Sequence, residues 1–247
     1  MGLVERLDFR PNSKQEARPK QRQDKKGHRK WAEIDRYIVD RLVPSDPVLD
    51  AALRTSQAAG LPPINVSSNQ GKLLMVLAQA VGARAILEIG TLGGFSTIWL
   101  ARALTPGGRV ITLEANPMHA KIARANVAHA GLADRVDMRL GKALDSLPTL
   151  AGEGPFDFIY IDADQENAAN YFQWAVKLSR RGSLIVTDNV IRHGSIIDAE
   201  NCKPAVQGLR RLYDLVAAEP KVSMTALQTV GSKGHDGFAI AVVTADQ

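Results

Sequence analysis

Between residues 85 and 188, short apolar runs alternate with segments of helical period, and this alternation restricts the fold of the 247-residue chain more than any other feature. The runs read "AILEIG", "RVITLEA", "RVDMRL", "FDFIYID" and "GSLIVTD"; segments such as "STIWLARAL", "HAKIARANVAHAG" and "YFQWAVKLS" stand between them. Strands that alternate with helices form a parallel sheet, because each right-handed crossover helix must cover one face of it. The pattern therefore predicts a doubly wound, Rossmann-like α/β fold. Its end differs. After a helix near "AVQGLRRLYDLVAA", the runs "KVSMTALQTV" and "DGFAIAVV" are joined by the short "GSKGH". A turn of that length suits an antiparallel pair, so the last strand is expected to reverse in a mostly parallel sheet.

Upstream of the alternation, Ile34, Ile38 and Leu42, then Leu49 and Leu53, recur at helical spacing, with Pro44 and Pro47 between the two sets. That predicts two N-terminal helices. The loop "AAGLPPINVSS" leads into a further helix through "GKLLMVLAQAVG". There are no internal repeats, and a chain of this length needs only one large core.

The net charge of +5 would suggest a nucleic-acid partner if it were spread over the fold. It is not: residues 1–30 hold ten Lys/Arg against four Asp/Glu, which leaves 21 against 22 for residues 31–247. The basic stretch lacks hydrophobic periodicity and reads as a disordered tail, either a plain solvated extension or an anion-contacting arm. Glu5, Asp8, Glu16 and Asp24 argue against a mitochondrial transit peptide. No apolar run approaches the roughly 20 residues that span a bilayer, and Cys202 is the single cysteine. The expectation is a soluble cytoplasmic protein with no membrane partner.

Ligands of open α/β sheets collect beyond the carboxyl ends of the strands. The first run continues as "LEIGTLGGFS", where Gly90, Gly93 and Gly94 permit a tight turn between Glu88 and Ser96. The spacing G-x-x-G-G departs from the dinucleotide fingerprint G-x-G-x-x-G, and such a turn also serves purely structural ends. Glu114 ends the second run, 24 residues beyond Gly90, where an acidic side chain can accept both ribose hydroxyls of an adenosine. Asp162 ends the fourth run; Asp188 and Asn189 end the fifth. One crossover separates them, so two carboxylates and an amide oxygen converge, a donor set suited to a hard divalent cation. Asp188 and Asn189 also read as turn caps.

At these residues the chain resembles the cation-dependent, S-adenosylmethionine-dependent O-methyltransferases, the family of catechol and caffeoyl-CoA O-methyltransferases, and within it the bacterial small-molecule branch. The matching stretches are "INVSSNQGKLL", "ILEIGTLGGFSTIWLARAL", "VITLEANP", "GKALDSL", "FIYIDADQEN", "LIVTDNVIRHG" and "TALQTVGSKGHDGFAIA". The resemblance implies one methyltransferase domain over residues 31–247, with residues 1–30 outside it. It implies that Val66, Glu88, Gly90, Thr91, Gly94, Ser96, Glu114 and Ala143 line the S-adenosylmethionine pocket, that Asp162 adjoins it, and that Asp164 faces the cofactor's ammonium group. It further implies that Asp162, Asp188 and Asn189 hold Mg²⁺, with Mn²⁺ or Ca²⁺ as substitutes, that the substrate is a small aromatic diol, and that the protein is a homodimer.

One residue departs from the family pattern. Relatives commonly read "DADK" where this chain reads "DADQ", so Gln165 stands in place of a lysine implied to be the general base. An amide cannot accept a proton at working pH. His193, just beyond the ligands, is a candidate replacement base and equally reads as an exposed loop histidine. His28, His119, His129 and His235 show no pairing that suggests a site. Three rivals remain: an NAD-dependent reductase, disfavoured by the glycine spacing; an RNA methyltransferase using the basic tail; and a homologue that binds cofactor and metal without turnover.

Overall fold

The computed structural model describes residues 20–245. Three helices come first: α1 (Lys20–Leu42), α2 (Pro47–Ala58) and α3 (Ser68–Ala80). The alternating part follows as β1 (Ala85–Ile89), α4 (Phe95–Ala103), β2 (Arg109–Glu114), α5 (Pro117–His129), β3 (Val136–Leu140), α6 (Ala143–Ser146), β4 (Phe156–Ile161), α7 (Ala168–Lys177) and β5 (Ser179–Asp188). Helix α8 (Pro204–Ala217) and the strands β6 (Val222–Gly231) and β7 (Gly234–Val243) complete the chain.

The seven strands form one sheet in the order β3-β2-β1-β4-β5-β7-β6. Strands β1 to β5 are mutually parallel, and β7 runs antiparallel to both β5 and β6. The doubly wound sheet with a reversed last strand is thus as expected. The topological switch falls between β1 and β4, whose connections leave in opposite directions, and ligands bind at such a crevice.

Alternate residues of the central strands feed two cores. Leu87, Ile89, Ile159 and Ile161 pack with α7 and α8, whereas Ile86, Val110, Phe158 and Tyr160 pack with α3 and α4. Because β1 and β4 are covered on both faces, their sequences read as nearly continuous apolar runs. Burying each such side chain contributes about 1.5–3 kcal/mol. A polar residue in this layer therefore stands out. In register, Glu88 lies beside Thr112 on β2 and Tyr160 on β4, a buried polar row across three strands.

Two details depart from expectation. The boundary drawn at residue 31 falls inside α1, which begins at Lys20. Lys, Gln and Arg are good helix formers, so charge and missing apolar periodicity did not mark the helix start; residues 1–19 of the expected tail lie outside the described residues. The crossover from β3 to β4 carries α6 and a 3₁₀ turn too short to leave a periodic signal. Among the described residues no helix is long and apolar enough to cross a membrane.

Candidate active site

The turn after β1 is built for close approach. Gly90 has φ 99°, and a Cβ there would lie 2.1 Å from the Asp162 carbonyl oxygen, so only glycine lets the ends of β1 and β4 meet. Gly94 has φ 81° and opens α4 from the left-handed region. Between them Leu92 also has a positive φ of 50°. The Glu114 carboxylate holds this turn: Oε2 accepts from the backbone N–H of Thr91 (3.2 Å) and Leu92 (2.8 Å), and Oε1 from Asn116 (2.8 Å). Glu114 thus braces the loop against which it would present its remaining lone pairs to a ribose.

Glu88 is wholly buried behind three hydroxyls. Its Oε1 accepts from Ser96 Oγ (2.7 Å), and its Oε2 from Thr97 Oγ1 (2.5 Å) and Thr112 Oγ1 (2.7 Å). Thr91 and Thr112 share a further hydroxyl contact of 2.5 Å. Burial pushes the Glu88 carboxyl up to about 7, against the opposing pull of the three hydroxyl hydrogen bonds. Val66 is buried just before the α3 cap, and Ala143 begins α6 beyond Gly141, whose N–H reaches Glu114 O at 2.9 Å. The expected cofactor residues of β1 and β2 therefore gather at one sheet end, and Val66 and Ala143 stand where the elements flanking that end begin.

Asp162 and Asp188 follow parallel strands paired at Ile161 and Thr187, so they emerge side by side. The Tyr160 hydroxyl lies between them, 2.9 Å from Asp188 Oδ2 and 3.2 Å from Asp162 Oδ2. Asp188 Oδ2 also accepts from Gln70 Nε2 (2.5 Å), and Oδ1 from the Asn189 N–H (2.7 Å). Burial, then the charge of Asp188, drives the Asp162 carboxyl well above the usual range. Burial likewise raises Asp188 to about 6, with Asp236 adding to it. Asn189 has φ 58°, and its Oδ1 faces Gln165 Nε2 at 3.5 Å.

The three expected cation ligands are thus brought together, and Gln165 beside them. Among the described residues no group of three or more His, Cys, Asp or Glu side chains could hold a metal. The present set reaches three donors only through the amide of Asn189. Its chemistry fits a hard cation: every donor is oxygen, and among the described residues the two carboxylates have no cationic partner that would offset their mutual repulsion.

Other expected residues are placed differently. Asp164 is exposed and caps the turn before α7: Oδ1 accepts from Asn167 N (3.1 Å) and Nδ2 (2.7 Å), Oδ2 from Tyr171 OH (2.5 Å). Its carboxylate thus joins the turn before α7 to Tyr171. His193 is exposed with φ 55°, and among the described residues it makes no hydrogen bond to Asp162, Asp188, Asn189 or Gln165. His119 does have a partner: its Nδ1 stands 3.4 Å from Glu114 Oε1, brought there by the first turn of α5, which Asn116 caps.

Sequence reasoning passed over Tyr160, Gln70, Asn126 and Asp236. Asn126 Nδ2 reaches Gly93 O (2.8 Å) and fastens α5 to the glycine turn. Asp236 Oδ1 gathers the N–H groups of Ile191 (3.0 Å), Arg192 (2.9 Å) and Gly237 (3.0 Å). It thereby anchors the loop after β5, where Arg192, His193 and Gly194 are all left-handed. A tyrosine in the wholly buried strand β4, and an asparagine on the buried face of α5, were the available signals.

A doubly wound sheet with a braced glycine turn at β1, an acid at the end of β2 and paired acids at β4 and β5 defines a Rossmann-like, methyltransferase-type α/β protein. The chain belongs to the O-methyltransferase family, whose model matches residues 43–240. It is 56% identical to a catechol O-methyltransferase of Mycobacterium tuberculosis, over 85% of this chain and 95% of that one. Among solved structures it resembles the O-methyltransferase from Bacillus cereus in complex with SAH, with 57% identity, a TM-score of 0.86, and coverage of 88% of this chain and 100% of that one. It also resembles the O-methyltransferase TomG from Streptomyces achromogenes, involved in tomaymycin synthesis and solved with SAM, at 44% identity, TM-score 0.86, and 88% and 99% coverage.

Proposed function

We propose that this O-methyltransferase moves the methyl group of S-adenosylmethionine (SAM) to one hydroxyl of a catechol-like vicinal diol, with Asp162, Asp188 and Asn189 as ligands of a divalent cation. The observation that carries the reading is the contact between Gly90 and the Asp162 backbone. It joins the turn suited to a nucleoside to the strand end suited to a cation, so donor and acceptor would meet across one crevice. The SAH- and SAM-bound relatives support the cofactor, and the catechol O-methyltransferase relative supports the acceptor class.

In the transfer, the acceptor oxygen forms a bond to the methyl carbon as the sulfonium C–S bond breaks, and SAH leaves. When bound, the cation supplies positive charge that lowers the pKa of the acceptor hydroxyl and fixes its orientation. The chain's own part is placement. Glu114 and the glycine turn hold the nucleoside, and fixing the two reactants in line supplies on the order of 7–11 kcal/mol. Gln165 steadies the Asn189 amide oxygen but takes no proton, so the hydroxyl proton passes to solvent water and not to a side chain at that position. The test is turnover of a catechol panel with SAM and Mg²⁺, with and without excess chelator. Full activity in chelator removes the cation from this reading, and failure to bind SAM removes the reading altogether.

A further inference from the structure

We infer that Tyr160 and Gln70 are positioning residues that set the spacing and orientation of Asp162 and Asp188 for a divalent cation; the inference rests on the cation reading above. Tyr160 belongs to the buried row it forms with Thr112 and Glu88, and its ring packs in the core shared with α3 and α4. An apolar residue would fill that place without leaving a hydroxyl to satisfy. Instead the hydroxyl stands between the two acids, within 3.2 Å of an oxygen from each.

A tyrosine hydroxyl has one proton to donate and two carboxylates to serve. It thus holds Asp162 Oδ2 and Asp188 Oδ2 near one point without filling the lone pairs of either. Gln70 works from the other side. It leaves the first turn of α3, and its Nε2 meets the same Asp188 Oδ2 that Tyr160 touches. Asn189 holds Oδ1 through its N–H and, at 3.5 Å, its Nδ2, so the Asp188 carboxylate is fixed at both oxygens by neutral donors from three residues. None of the three carries a positive charge, and among the described residues neither acid forms an ion pair, so the Asp188 carboxylate is oriented without being neutralised. Donors that touch ligands, and not the ion, orient the ligands and tune the affinity.

The position of α3 is itself fixed from outside. Asp35 on α1 accepts from Asn69 Nδ2 (3.2 Å), the neighbour of Gln70, and from Ser232 N (2.7 Å) in the β6–β7 turn. A Cβ on Gly231 would come within 2.5 Å of Asp35 Oδ2, so the glycine leaves room for this clamp. The donor on Asp188 is thus tied to two further elements.

The experiment is calorimetric titration of Mn²⁺ into the SAH-loaded full chain, for wild type, Tyr160→Phe, Gln70→Ala and the double variant. Each single change should weaken Mn²⁺ binding by about 10–100-fold, the usual span for such outer partners. The double variant should lose less than the product of the two, because both donors act on one oxygen. SAH affinity and the unfolding temperature of Gln70→Ala should match wild type, since alanine is favoured in a helix and the residue touches no cofactor element. A Gln70→Ala protein that binds Mn²⁺ as wild type does overturns the assignment of Gln70. Unchanged affinity in a folded Tyr160→Phe overturns that of Tyr160. If wild type takes up no Mn²⁺, the donor set itself fails, and this inference falls with it.

Discussion

Glu88 and Glu114, at the ends of β1 and β2, are occupied by the protein itself: three hydroxyls fill one carboxylate and three backbone N–H groups the other. Asp162 and Asp188, at the ends of β4 and β5, instead face each other over a single shared tyrosine hydroxyl. All four are acids at neighbouring strand ends, yet Glu88, Glu114 and Asp188 each accept from at least three donors, whereas among the described residues Asp162 accepts from the shared tyrosine hydroxyl alone. The second pair keeps an electrostatic conflict that one bound cation would relieve. The difference separates a half of the crevice finished by folding from an unfinished half in which Asp162 relies on one shared donor.

The sharpest way to break that contrast is to remove an acid from the unfinished half. Asp188→Ala should abolish Mg²⁺-dependent methyl transfer while leaving SAH affinity near wild type. It should cost the fold about 1–3 kcal/mol, because Gln70, Tyr160 and the Asn189 N–H lose their shared acceptor. A variant that retains Mg²⁺-dependent turnover would put the cation elsewhere.

The finished half makes the opposite forecast, through stability. Glu88 binds its proton up to about 7 in the folded protein, against an ordinary glutamate value of 4.5. Between those values the folded state holds a proton that the unfolded state has released, so stability falls as pH rises through this window. The full shift corresponds to about 3 kcal/mol. Glu88→Gln removes the titration, so its stability difference from wild type should change by that order between pH 4.5 and 7.5, in favour of the variant at the higher pH. Parallel unfolding curves across the window, followed by denaturant titration, would show that Glu88 does not titrate there.

Glu114→Ala should weaken SAM binding by about 1.5–3 kcal/mol, the scale for a hydrogen bond to a charged group. Because the same carboxylate holds Thr91 and Leu92, the variant should also speed hydrogen exchange at those two amides. Weakened binding without faster exchange would mean that Glu114 serves the cofactor alone.

The two halves also differ in how far the sequence disclosed them. The parallel run of strands and the meeting of Asp162 with Asp188 follow from strand–helix alternation, since crossover hand leaves few alternatives, and the reversed β7 follows from the short turn before it. What stayed hidden is what touches the acids. Tyr160 reads as one more core aromatic until its hydroxyl is placed, and Gln70 lies 118 residues from the aspartate it meets. Asp164 is hidden in a different way: the resemblance assigns it a cofactor role, and the N-cap it makes for the turn before α7, three residues ahead of Asn167, is not anticipated. Periodicity reports which face a residue occupies, and carries no information on which partner a long polar side chain finds there.

The smallest expected effect lies where the two halves meet, at Gln165. Its amide touches Asn189 Oδ1 and the Ala163 carbonyl, so it belongs to the unfinished half, yet it brings no charge. If the bound cation alone ionises the acceptor, the wild-type rate should climb with pH until the acceptor hydroxyl titrates. Gln165→Lys introduces an amine that can take the proton when burial lowers its pKa, so turnover at neutral pH should rise and the climb should flatten. The gain should stay near about tenfold, below the 10²–10⁴-fold range of a general base, because the same amine would repel a cation held by Asn189. Its advantage should shrink in alkaline buffer, and its Mg²⁺ requirement should shift to higher concentration. A wild type that already shows a neutral plateau, with no gain from Gln165→Lys, would mean that another base is at work. Loss of that plateau in His193→Ala would then identify it, and would require the loop that Asp236 anchors to bring His193 into the crevice.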